Sequence, residues 1–114
     1  MCWFRLLAVE FALAALFVSS LAAGAENLPT FQLIAKDGRF YPETIEVPAG
    51  RRFRLEVINQ NAGAEEFESR ELHKELVLAP GAARTLVFAP LRAGAYRFFG
   101  EFHPKTARGQ IVAR

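Results

Sequence analysis

Carboxylates and imidazoles are the side chains of this chain whose types could hold a metal ion, Glu65, Glu66, Glu101 and His103 among them. Carboxylates are hard oxygen donors, and imidazole is an intermediate nitrogen donor. Such a set suits Fe(II), Fe(III) or Cu(II) and suits Cu(I) poorly. Each residue also has a plainer reading. His103 lies between Phe102 and Pro104 in a tight hairpin, where an imidazole equally well hydrogen-bonds the backbone. Glu65 and Glu66 equally well form a solvated pair, because exposed carboxylates are common. Glu101 follows Gly100, so strand alternation does not fix its direction. His73 sits in the mixed-charge stretch Glu71-Leu72-His73-Lys74-Glu75, which reads as surface. Glu68 and Glu75 read as groups that would support ligands from behind. The chain offers no general base, nucleophile and oxyanion arrangement, so hydrolysis is not expected.

The 114 residues suffice for one domain. The N-terminal segment reads as a signal peptide. Arg5 gives a short positive start, Leu6 to Ala23 is an apolar run broken by Glu10, and Ala23-Gly24-Ala25 is a small-residue cleavage site. Cleavage is expected after Ala25, leaving residues 26–114 as the exported mature domain. The alternative, an uncleaved anchor, would bury Glu10 inside a span. Met1, Cys2 and Trp3 all fall in the leader, and they are the chain's sole methionine, cysteine and tryptophan. The mature domain therefore carries no disulfide and offers a metal neither thiolate nor thioether. A chain of this size buries about 60–65% of its unfolded surface, enough for an independent fold. The net charge is +2 with both signs interspersed. With no basic run or basic helical stripe, nucleic acid is not an expected partner.

Strands must position the candidate residues, since hydrophobic alternation is period two from Phe31 onward. Phe31, Leu33 and Ala35 share a face before a turn at Asp37-Gly38. Phe40 and Tyr41 lead into Pro42, and Ile45 and Val47 follow. Phe53, Leu55 and Val57 alternate with Arg52, Arg54 and Glu56, as in a strand with one wet face. A polar loop spans Asn59 to Gly63. Further strands centre on Phe67, Leu76 and Leu78, Leu86 and Phe88, Tyr96 and Phe98, and Ile111 and Val112. Arg70 to Glu75 has room for a single helical turn. About eight short strands at regular turn spacing predict an all-β Greek-key sandwich or barrel.

Phe40-x-Pro42-x-x-Ile45-x-Val47-x-x-Gly50, Leu55-x-Val57-x-Asn59, Gly94-x-Tyr96-x-Phe98 and Gly109-x-Ile111-Val112 together resemble a cupredoxin-like domain. The resemblance covers nearly the whole mature chain. In blue-copper members the last long strand carries Tyr-x-Phe-x-Cys, with a ligand histidine three residues after the cysteine. Tyr96 and Phe98 match that frame, His103 matches the histidine, and Gly100 stands in place of the cysteine. Glu65, two residues before Phe67, holds the place of the first ligand histidine. The axial methionine has no counterpart. The resemblance therefore implies a metal site at Glu65, Glu66, Glu101 and His103 that is not a blue-copper site. Alternation puts Glu65 and Phe67 on one face, which favours Glu65 over Glu66.

Glu65-Glu66-Phe67-Glu68-Ser69 and Phe99-Gly100-Glu101-Phe102-His103-Pro104 resemble a narrower branch, the EfeO-type cupredoxin-like proteins. These accompany bacterial ferrous-iron uptake systems, and stand-alone members act in the periplasm beside a membrane iron permease. That resemblance implies an iron or copper ion as cofactor. The function it implies is assistance in ferrous-iron oxidation or delivery to the permease, with associated periplasmic or redox components as partners. A ferroxidase-like accessory role is expected rather than a stand-alone enzyme. Phe99 and Phe102 are expected as an apolar rim around the site, a docking surface in cupredoxin-like proteins, and the competing expectation is a metal-free module that only docks a partner.

Overall fold

The computed structural model describes residues 27–114, and the predicted leader, 1–25, lies outside the described residues. Nine strands follow one another: β1 Thr30–Lys36, β2 Arg39–Tyr41, β3 Thr44–Val47, β4 Phe53–Asn59, β5 Glu65–Ser69, β6 Lys74–Leu78, β7 Ala83–Phe88, β8 Gly94–Phe99 and β9 Arg108–Ala113. The strand beyond the expected eight is β2. Asp37 and Gly38 both take positive φ, 53° and 69°, so they form a two-residue turn whose twist suits a hairpin. That turn folds Arg39 back against Lys36. The segment 70–73 forms a turn between β5 and β6 and not a helix.

The strands form two sheets, ordered β2-β1-β4-β7 and β3-β9-β8-β5-β6. Two pairings are parallel, β1 with β4 and β3 with β9, and both bring distant segments together. The alternating apolar residues meet between the sheets. Leu33, Ala35, Phe53, Leu55, Val57 and Phe88 from one sheet face Ile45, Phe67, Leu76, Leu78, Phe98 and Ile111 from the other. Phe40, Phe53, Phe67, Phe88 and Phe98 lie in this core, with Phe31 and Tyr96 half-buried at its edges.

Two aromatic groups divide this core. Phe53 stacks on Phe88 with centroids 4.7 Å apart and meets Phe31 edge-on. Phe40 meets Phe67 and Phe98 edge-on, at 6.2 and 5.5 Å. The second group matters for function. Phe67 is two residues beyond Glu65, and Phe98 is two residues before Gly100, so both share a strand face with the site and lie beneath it.

Candidate metal centre

Glu65 opens β5 and points inward with Phe67 and Ser69, as strand alternation requires. Its side chain is fully buried. A buried carboxylate is costly unless hydrogen-bonded and paired, and here it is both. Oε1 accepts a hydrogen bond from the backbone N–H of Glu66 at 3.0 Å. Oε2 accepts one from Asn61 Nδ2 at 3.3 Å and lies 2.5 Å from His103 Nδ1. With the carboxylate as acceptor, Nδ1 is the donor. Charge-assisted contacts of this kind are short and among the stronger hydrogen bonds.

Three segments hold this dyad. The first is the β4–β5 loop. Asn59 ends β4 fully buried, and its Nδ2 donates to the carbonyls of Gly63 and Leu78 at 2.9 and 3.1 Å. Its Oδ1 accepts from the N–H of Asn61 at 2.9 Å, which aims Asn61 at Glu65. The second is the β8–β9 loop that carries His103. Gly100 N–H donates to the Ala107 carbonyl at 2.8 Å and Ala107 N–H to the His103 carbonyl at 2.8 Å, closing the loop on itself. The third is the Asp37-Gly38 turn. Gly38 N–H donates to Asn61 Oδ1 at 3.1 Å, and Thr106 Oγ1 donates to the Gly38 carbonyl at 2.5 Å.

Two glycines make the geometry possible. Gly38 has positive φ, and a Cβ there would stand 2.9 Å from His103 Cδ2, so the imidazole rests against bare backbone. Gly100 is buried at the sheet end, and a Cβ there would stand 2.7 Å from Glu65 Oε1 and 3.0 Å from the Ala107 Cβ. The Glu65 carboxylate fills the space that a side chain at position 100 would use.

The four predicted ligands separate into two pairs. Glu65 and His103 meet. Glu66 points to the opposite face of the sheet, as its neighbouring position on the strand dictates. It is only 3% exposed, and no hydrogen-bond partner reaches its Oε1 among the described residues. Burial, then a hydrogen bond and repulsion from Glu101, then the charges of Glu75 and Glu68, push its pKa up to about 7. Glu101, exposed, thus belongs with Glu66. His73 lies in the β5–β6 turn, at the far end of that hairpin from Glu65. Asn59, Asn61 and Gly38 are the positioning residues that sequence reasoning passed over. Asn59-x-Asn61 read as a polar loop, and a side chain that bonds backbone within its own turn is the signal that could have found it.

A carboxylate and an imidazole do not make a blue-copper centre, and the described residues include no cysteine to supply a thiolate. They fit an ion of intermediate or hard character. Two donors each about 2.0–2.1 Å from an ion stand about 2.9–3.4 Å apart. Parting Oε2 and Nδ1 from 2.5 Å to that separation takes less than about 1 Å of movement. His103 has 42% of its side chain exposed, so an ion can reach the pair from solvent.

The chain belongs to the cupredoxin-like domain family, whose profile matches residues 9–113. An uncharacterised protein of Rickettsia prowazekii (strain Madrid E) is 38% identical over 87 residues, 76% of this chain and 70% of that relative. Among solved structures, reduced auracyanin from Roseiflexus castenholzii superposes with a TM-score of 0.63 at 12% identity, covering 75% of this chain and 96% of that one. Auracyanin A, a blue copper protein of Chloroflexus aurantiacus, gives 0.62 at 15% identity over 75% and 98%. The metal-binding domain of the Cu(I)-exporting P-type ATPase of Streptococcus pneumoniae, solved with Cu(I), gives 0.63 at 15% identity over 75% and 84%. Likeness at these identities establishes the cupredoxin β-sandwich.

Proposed function

We propose that this protein binds iron or copper through Glu65 and His103 and works as an accessory to ferrous-iron uptake, in the manner of the EfeO-type branch. It is exported to the periplasm by its leader. There it assists ferrous-iron oxidation or hands iron to a membrane permease and its redox components. The observation that carries the reading is the buried carboxylate 2.5 Å from an imidazole, beside a glycine that vacates the thiolate position. In the metal-free fold Asn61 and His103 satisfy that carboxylate, and an ion entering between Oε2 and Nδ1 would take over as its counter-charge. One imidazole and one carboxylate leave coordination positions open, which favours metal transfer or inner-sphere oxidation. Solved relatives of the same fold include copper proteins, which is consistent with a metal at this end of the sandwich.

Calorimetric titration of the purified protein with Cu(II), and anaerobically with Fe(II), tests this reading. One site near micromolar or tighter is expected, weakened at least tenfold in His103→Ala. Absence of binding by both ions would refute it. A second reading has one observation in its favour: Glu65 and His103 already satisfy each other, and Phe102 is 52% exposed on the same loop. In that reading the sandwich is a metal-free module that docks a partner, and the titration separates the two.

A further inference from the structure

A second group of carboxylates lies on the other face of β5. Alternation turns Glu66 and Glu68 away from the core, while Phe67 and Ser69 turn into it. The register sets Glu75 of β6 directly across from Glu68, and Glu66 one step along the same face. One oxygen from each of Glu66, Glu68 and Glu75 lies within 4.8 Å of the others. Like charges directly opposite each other in a sheet are destabilising, so this arrangement calls for a counter-charge. The protein supplies little. Arg70 Nε stands 3.9 Å from Glu68 Oε2, and its guanidinium leans over the Phe99 ring. Lys74 directs its ammonium elsewhere, to the carbonyl of Val87.

The decisive feature is Glu66. Its Oε1 is buried and no hydrogen-bond partner meets it among the described residues. Leaving such an oxygen without a donor carries the full cost of its desolvation. A solvated acidic surface has no such atom, because water serves every oxygen there.

We propose that Glu66, Glu68 and Glu75 form a cation site of their own, on the outer face of this sheet, which takes a hard di- or trivalent ion through carboxylate oxygens alone. Three oxygens spread evenly around an ion that binds them at about 2.3–2.6 Å stand about 4.0–4.5 Å apart, so the cluster, within 4.8 Å, closes on an ion with less than about 1 Å of movement. Its donor set differs from that of Glu65 and His103, so the two sites sort metals. Nitrogen-seeking Cu(II) goes to the imidazole, and oxygen-seeking ions go to the carboxylates. The outer site does not depend on the Glu65–His103 reading.

Mn(II) is the probe, titrated into the purified protein by calorimetry and by loss of the free-ion EPR signal. One Mn(II) should bind in the wild type and in His103→Ala. Its affinity should fall at least tenfold in Glu68→Gln/Glu75→Gln, while an undiminished urea unfolding midpoint in that variant reports an intact fold. Glu75→Gln alone, at an exposed position, should already weaken Mn(II) severalfold. No Mn(II) binding in the wild type, binding indifferent to Glu75→Gln, or binding lost with His103→Ala would each overturn the proposal.

Discussion

Gly100→Ala should destabilise the protein in one background and not in another. The added Cβ would stand 2.7 Å from Glu65 Oε1 and 3.0 Å from Glu65 Cδ. That carboxylate cannot swing aside freely, since Glu66 N–H, Asn61 Nδ2 and His103 Nδ1 all hold it. Overpacking of this kind costs about 1–3 kcal/mol. Gly100 is not among the residues with positive φ. Alanine there carries no left-handed strain, and it gains about 0.4–1 kcal/mol by restricting the unfolded chain. In a Glu65→Ala background the clash disappears and only the gain remains, apart from the 3.0 Å approach to Ala107. The double-mutant cycle should thus give a coupling of about 1–3 kcal/mol. Urea unfolding of the four proteins measures it, and thermal midpoints should move about 4–8 °C per kcal/mol. An equal effect of Gly100→Ala in both backgrounds would refute the close packing of the Glu65 carboxylate against position 100.

Gly38→Ala should lower stability by about 1–2 kcal/mol from left-handed strain alone, and its Cβ, 2.9 Å from His103 Cδ2, should also weaken Cu(II) binding. Titration of unfolding and of Cu(II) checks both. Glu66 gives a pH dependence. Its pKa is raised from 4.5 to about 7 on folding, so the folded state binds its proton more tightly than the unfolded chain. That contribution is fully present below about pH 4.5 and lost as pH rises through about 7. Metal-free wild type should therefore lose stability relative to Glu66→Gln between pH 5 and 8, and parallel pH profiles of the two would contradict the assignment. Glu65→Gln should weaken Fe(III) binding more than Cu(II), because charge matters more to the harder ion, and competition titrations read the difference.

Much of the architecture was legible in the residue pattern. Strand alternation placed Phe53, Leu55 and Val57 inside, and the Asp37-Gly38 turn was visible as a dipeptide with a known preference. The extra strand β2 was hidden because three residues before a proline carry no period of their own. Alternation also told Glu65 from Glu66, yet the four acidic and imidazole candidates read as one set. Their division between two faces depends on β5 lying flat between β8 and β6, a pairing that spans distant segments. The supports of the dyad were less legible still. Asn61 reaches both Gly38 and Glu65, and Gly38 backs the His103 ring only once two loops have been brought together. Non-local contacts of this sort leave no periodic trace in the chain.

His103, paired with Glu65, is the imidazole proposed to bind the metal. The chain has two histidines, so the ligand nitrogen can be assigned unambiguously. Pulsed EPR of the Cu(II)-loaded protein should show coupling to one imidazole and no thiolate charge-transfer colour. The coupling should vanish in His103→Ala and survive in His73→Ala. Coupling that persisted without His103, or disappeared with His73, would contradict the account.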